Sequence, residues 1–246
     1  MTSLPRARVA RRGSLIGLAL AAAPGLSACG NDLQPGAAAT VNDVRISQDD
    51  VDEIVGAACE YTQVLRQQEG GAGEPQRLDE LRSTITTALI QFEIVDTAAT
   101  ERGVSASQSA VSAFDEQNQI PEGLSQDNAE TLEQFFGDFA MSQAQQAAIG
   151  ANVKDSEVTS VSRVTPQDLE ASAELLSEVT QEQDVVVNPA YGSWDGQAVI
   201  AGNGSLSDPV SDAAIGGEGD ESIDPAAPPD PAASVSADVP AVQLCG

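Results

Sequence analysis

The chain of 246 residues contains no histidine, so a Ser-His-Asp triad, a Cys-His pair and an imidazole metal site are all excluded. It has no G-x-S-x-G elbow, no phosphate loop and no Cys-x-x-Cys pair. Acidic clusters stand at Asp49-Asp50, Asp52-Glu53 and Asp220-Glu221. None has the alternating oxygen ligands and turn glycine of a calcium loop, so they read as solvated charge and no metal is expected. The reactive side chains left are Cys29, Cys59 and Cys245. Beside them stand two aromatic groups suited to non-covalent binding, Phe135-Phe136 with Phe139, and Tyr191 with Trp194. A phenylalanine stripe at helical spacing reads first as core and second as the wall of a groove for apolar segments. Trp194 reads first as packing against the end of a small sheet and second as an exposed platform. No acid/base pair or activated nucleophile is visible, which points away from an enzyme and from any cofactor.

Cys29 has a context of its own. Arg6, Arg8, Arg11 and Arg12 precede a short apolar run from Leu15 to Ala23, which Pro24 and Gly25 end. These are the charged and apolar regions of an export signal. Leu26-Ser27-Ala28-Cys29 follows and looks like a bacterial lipobox, in which the cysteine sulfur accepts a diacylglycerol and becomes the new N-terminus. Residues 1–28 are therefore expected to be a lipoprotein signal peptide and Cys29 the lipidation site, placing the protein at the cell membrane on its extracytoplasmic side. The pair Arg11-Arg12 is followed by Gly13-Ser14, a poor fit to twin-arginine export. In an oxidising compartment the remaining Cys59 and Cys245 suggest a disulfide pinning the C-terminus to the helical region. Cys59 as an unpaired core thiol is the rival reading.

Charge narrows the partners. There are 38 acidic against 11 basic side chains, a formal net charge of −27. Nucleic acid is excluded as a partner, since its binding needs cations to displace phosphate counterions. An anionic bilayer repels such a surface, so attachment to the membrane falls to the lipid.

Elements follow from periodicity. Residues 29–39 read as a flexible tether and Thr40 to Ile46 as a strand or tight hairpin around Asn42-Asp43. Ser47 and Asp50 mark a capped helix start, and Val51, Ile54, Val55, Ala58, Tyr61 and Leu65 carry a helix over 48–68. Pro75 opens a second helix, whose apolar stripe from Leu78 to Ala99 contains a single polar residue, Asp96, and runs to Gly103. Ser105 is the expected cap of a third helix. A fourth spans about 126–148 with the phenylalanines on one side, and Pro166 starts a fifth. Residues 150–164 fit either a helix or an irregular segment. Val185-Val186-Val187 is a β-branched strand. From residue 203 to 246 the chain is rich in Ala, Ser, Asp and Pro, with no Lys or Arg, and is expected to be a largely disordered tail.

The order of these pieces resembles the SurA N-terminal-like domain of exported chaperones, a group that includes the PrsA-type foldases. The likeness rests on Val41-Asn42-Asp43-Val44-Arg45-Ile46-Ser47, with Asp43 where the family usually has Gly, and on Asn188-Pro189-Ala190-Tyr191-Gly192-Ser193-Trp194. The resemblance covers about 40–202 and implies a mainly α fold, in which helices close over a small two-stranded sheet pairing the early and late strands. Many relatives carry a parvulin isomerase domain that uses histidines; this chain has neither the histidines nor the room. A non-catalytic holder of unfolded or newly exported proteins is therefore implied, with Phe135, Phe136, Phe139, Tyr191 and Trp194 as candidate client-binding residues. The alternative is a structural or adaptor envelope lipoprotein that docks one specific partner.

Overall fold

The computed structural model describes residues 34–68, 70, 75–115, 120–202 and 243–245, all within one compact unit. Their elements run, in chain order, β1 (Ala37–Val41), β2 (Val44–Ser47), α1 (Gln48–Gln68), β3 (Gln76–Arg77), α2 (Leu78–Arg102), α3 (Gln108–Asp115) and α4 (Gln126–Lys154). Then come α5 (Pro166–Glu182), β4 (Val185–Val187), β5 (Ser193–Trp194), β6 (Val199–Ile200) and β7 (Leu244–Cys245). The protein is mainly helical with small antiparallel sheets.

The principal sheet has three strands in the order β2-β1-β4, not two. Asn42 adopts φ 51°, a left-handed conformation its short amide tolerates, and the chain folds into a β1–β2 hairpin with Val41 opposite Val44. The other edge of β1 takes β4, with Val41 opposite Val185 and Ala39 opposite Val187. Asn42 also fastens this edge, because its Oδ1 accepts the Asp184 N–H at 2.9 Å. β1 begins at Ala37, inside the stretch expected to be a tether, and Ala37, Ala38 and Ala39 are wholly buried. A run of alanines reads as linker in isolation, but methyl groups are what a central strand needs when helices press closely on it.

Helix boundaries show where local signals hold and where they yield. The Ser47 Oγ accepts the Asp50 N–H at 3.0 Å and starts α1 as expected. The Thr165 hydroxyl and Pro166 likewise start α5. Pro75, in contrast, does not open α2. Gln76 and Arg77 pair with Cys245 and Leu244, and the helix begins after them, with Arg77 forked onto Asp79 at 3.0 and 2.6 Å. The cap of α3 is Ser107, whose Oγ accepts the Ala110 N–H at 3.2 Å, and not Ser105, whose backbone N–H is engaged by Thr159. At the start of α4 the cap comes from another helix. Glu60 of α1 accepts the Ser125 N–H at 3.0 Å, its hydroxyl at 2.7 Å and the Asn128 amide. These hydrogen bonds, the Ser125 hydroxyl foremost, hold the Glu60 carboxyl below its ordinary range. The ambiguous 150–164 stretch splits: α4 continues to Lys154, and Asn152 then binds the Ser156 and Val158 carbonyls as the chain turns away.

The core lies where α2 crosses the sheet and the second half of α4. Leu81, Ile85, Ile90, Ile94, Val95, Ala98 and Ala99 of α2 are buried against Ala148 and Ile149 of α4 and Val51, Ile54 and Val55 of α1. A smaller cluster, Ala110 and Val111 with Ala140 and Ala144, seats α3 on α4. Among the described residues no helix is long and apolar enough to cross a membrane. Residues 203–242 of the expected tail lie outside the described residues, but 243–245 do not extend it. Leu244 and Cys245 form β7 against β3, and Cys245 is buried at 1% exposure. A strand of two residues is too short for any periodicity to reveal.

Candidate binding cleft

Three helices and β2 enclose an open cleft of about 400 Å³. Helical spacing explains which residues reach it. Residues three and four apart share a face, so α1 contributes Asp50, Glu53 and Ile54, and α2 contributes Leu89, Phe92, Glu93 and Asp96. On α4 one continuous stripe faces it, from Thr131 through Gln134-Phe135, Asp138 and Met141-Ser142 to Gln145. Arg45 and Ile46 of β2 close one end. Among the described residues the floor is apolar and aromatic, the rim carries five carboxylates, and Arg45 is the single cation in the lining.

The carboxylates differ in state. Burial, foremost, and the neighbouring charge of Asp96 push Glu93 above the usual carboxylate range. Asp138 is exposed as a residue, but partial loss of water around its carboxyl pushes it up as well. Asp96 accepts a 2.8 Å hydrogen bond from the Gln145 amide, which orients it from the facing helix. Partly desolvated anions beside apolar surface attract a cation that brings its own hydrocarbon stem, as Lys and Arg side chains do.

The expected binding residues do not converge here. Phe135 lines the cleft and stacks obliquely on Phe92, with ring centroids 5.8 Å apart. Phe136 turns toward Tyr61 at 6.2 Å, edge to face. Phe139 bridges Phe92 at 6.2 Å and Phe114 at 5.5 Å. All three are half-buried, so the cluster is a seam joining four helices, of which one ring also forms cleft wall. Tyr191 is buried, and burial, followed by the neighbouring charge of Asp52, pushes its pKa up to about 12. It is a packing residue in this structure. Trp194 is half-buried, packs against the core, and lines a separate cavity.

Glu93, Asp138 and Met141 do not stand out in the sequence, and Glu53 does so only within an acidic cluster that reads as solvated charge. The signal that could have found them is the mixing of acid with apolar residues at helical spacing, of which Asp96 in an otherwise apolar stripe is one visible instance. Cys29 lies outside the described residues. Cys59 and Cys245 are joined as a disulfide, with Cα atoms 5.0 Å apart across 186 residues of sequence. Among the described residues no group of His, Cys, Asp and Glu is arranged to hold a metal ion. No family model matches the chain, and neither a curated protein nor a solved structure matches it significantly.

Proposed function

We propose that the protein is a lipid-anchored, extracytoplasmic chaperone-like protein that holds exposed segments of exported proteins without covalent chemistry. The cleft between α1, α2 and α4 carries this reading: an apolar floor of Ile54, Leu89, Phe92 and Phe135 under a rim of five carboxylates and one arginine. Such a surface takes chain segments in which Lys or Arg alternates with apolar residues. The hydrophobic floor is indifferent to sequence, and the rim disfavours acidic segments by like-charge repulsion. The sequence pattern of an export signal and lipobox ending at Cys29 supplies the anchor and the compartment.

The test is suppression of aggregation by the full chain, measured on two unrelated unfolded exported proteins, one basic and one acidic. Dose-dependent suppression is expected, stronger for the basic client and weaker at high salt, where rim charges are screened. A proline-limited refolding trace should show no acceleration. Failure to suppress either client, together with stoichiometric capture of a single envelope protein, would replace this reading with the adaptor one.

A further inference from the structure

A second cavity, of about 340 Å³, lies on the opposite side of α2. Gln91, Ile94 and Val95 face it, while Leu89, Phe92, Glu93 and Asp96 face the acidic cleft, and at 100° per residue these sets stand on opposed helix faces. The remaining wall comes from α4, α5 and the β5–β6 turn. Its polar groups are Gln91, Gln146, Gln197, Ser177 and Thr180, and its aromatic group is Trp194, the only tryptophan in the chain. Among the described residues no charged one lines it, although one residue in five of this protein is charged.

We infer that this cavity is a binding site for a neutral saccharide. Each ring of a sugar has a face of C–H bonds and a rim of hydroxyls that both donate and accept. The indole of Trp194, with Ile94, Val95 and Leu176 beside it, offers the apolar platform for that face. Glutamine amides supply a donor and an acceptor on one group, the pairing that vicinal hydroxyls require. A lipid chain would leave the half-buried Gln146 amide without a ligand partner, while the Gln91 amide already donates to the Gln197 carbonyl at 3.4 Å, and an anionic ligand would meet no cation among the lining residues. The volume sits at the small end of the range of about 300–1,000 Å³ in which clefts hold small molecules, suited to one or two sugar rings.

Local structure keeps the wall in place. Asp195 accepts the Gln197 and Ala198 N–H groups, each at 2.8 Å, and so fixes the turn that presents Gln197. The Val199 N–H donates to Thr87 Oγ1 at 2.8 Å and ties the β5–β6 ribbon to α2. Gly192 lets the ribbon close: at φ 133°, a Cβ there would lie 2.2 Å from the Ile200 carbonyl oxygen. Trp194 is thus held by its ribbon independently of any client in the acidic cleft.

The lone tryptophan makes the site its own reporter. The full chain in a non-glycosidic detergent would be titrated with N-acetylglucosamine, cellobiose and maltose, with glucuronic acid and a proline-rich hexapeptide as controls. A saturable change in tryptophan emission with at least one neutral sugar is expected, with at least tenfold weaker response to the controls. Gln146→Leu should weaken that binding tenfold or more at an unchanged melting temperature. If Gln146→Leu lowers the melting temperature, Gln197→Leu on the exposed turn takes its place. The proposal is overturned if no neutral sugar gives a saturable change, if the hexapeptide alone does, or if the glutamine variant binds sugar as well as the parent.

Discussion

Gly150 of α4 meets the backbone of Asp168 in α5 so closely that an added Cβ would lie 1.7 Å from the Asp168 carbonyl oxygen. The neighbouring α4 residues Ala147, Ala148 and Ala151 are also small and buried, so the two helices are packed almost backbone to backbone. Asp168 itself is held there twice. Burial disfavours its charge, but hydrogen bonds from Lys154 and Thr165 and the ammonium charge of Lys154 outweigh that and keep its carboxyl low. Gly150→Ala should therefore force the helices apart and cost about 3 kcal/mol or more, a large overpacking penalty because backbone must move. Gly137→Ala, on the same helix with nothing near its Cβ, should be neutral or stabilising by about 0.5–1 kcal/mol. Thermal unfolding followed by circular dichroism separates the two.

Reduction of Cys59–Cys245, or Cys245→Ser, should lower stability by about 3–5 kcal/mol, given the length of chain the bridge closes. The same change should release β7 from β3, since two residue pairs are too few to hold a strand unaided. Denaturant unfolding with and without reductant measures the first effect. Hydrogen exchange at Gln76 and Arg77 measures the second. Thiol titration of the exported, unreduced protein should find neither cysteine free.

Tyr191 should make the fold sensitive to alkali. Its pKa is raised from 10.0 to about 12, so the folded state keeps its phenolic proton where the unfolded chain loses it. Stability from this group is fully present below pH 10 and declines as pH rises toward 12. Tyr191→Phe removes the titrating hydroxyl and keeps the buried ring, so it should change stability little at neutral pH and should flatten the alkaline decline. Denaturant midpoints at neutral and alkaline pH test both parts.

Much of this architecture was legible in the residues, for identifiable reasons. Helices α1, α2, α4 and α5 carry long apolar stripes, and Ser47, Thr165 and Pro166 act locally, so their signals survive folding. The misread boundaries are those where a distant partner decides. Gln76 and Arg77 are strand because Leu244 and Cys245 return to them, and Ala37–Ala39 are strand because β2 and β4 flank them. The aromatic set Phe135, Tyr191 and Trp194 was legible as important but not as three separate places. Phe135 is on α4, Trp194 on β5 and Tyr191 in the turn between β4 and β5, and the cavities lined by Phe135 and Trp194 open on opposed faces of α2. The cleft carboxylates were hidden by number: among so many acidic residues, those that burial raises look no different in sequence from those that water solvates.

The raised carboxylates give the cleft a pH response of known sign. Glu93 and Asp138 hold protons in the folded state above their ordinary values of 4.5 and 3.8, so their charge is complete only at higher pH. Capture of a basic client should weaken as pH falls through that raised range. Stability should move the other way. The folded state binds more protons than the unfolded one there, so this pair favours folding more as pH falls through the same window. Glu60, Asp79, Asp168 and Asp195 have lowered values, and the stability they contribute is lost only at still lower pH. In the upper part of the raised range the protein should therefore hold a basic client less tightly while remaining folded. Glu93→Gln with Asp138→Asn should raise the melting temperature at neutral pH, reduce capture of the basic client there, and flatten the pH profile of binding. Binding isotherms for a Lys-rich amphipathic peptide, with melting curves at each pH, provide the check. Loss of binding and of fold at one common pH would mean that the cleft charges do not control occupancy.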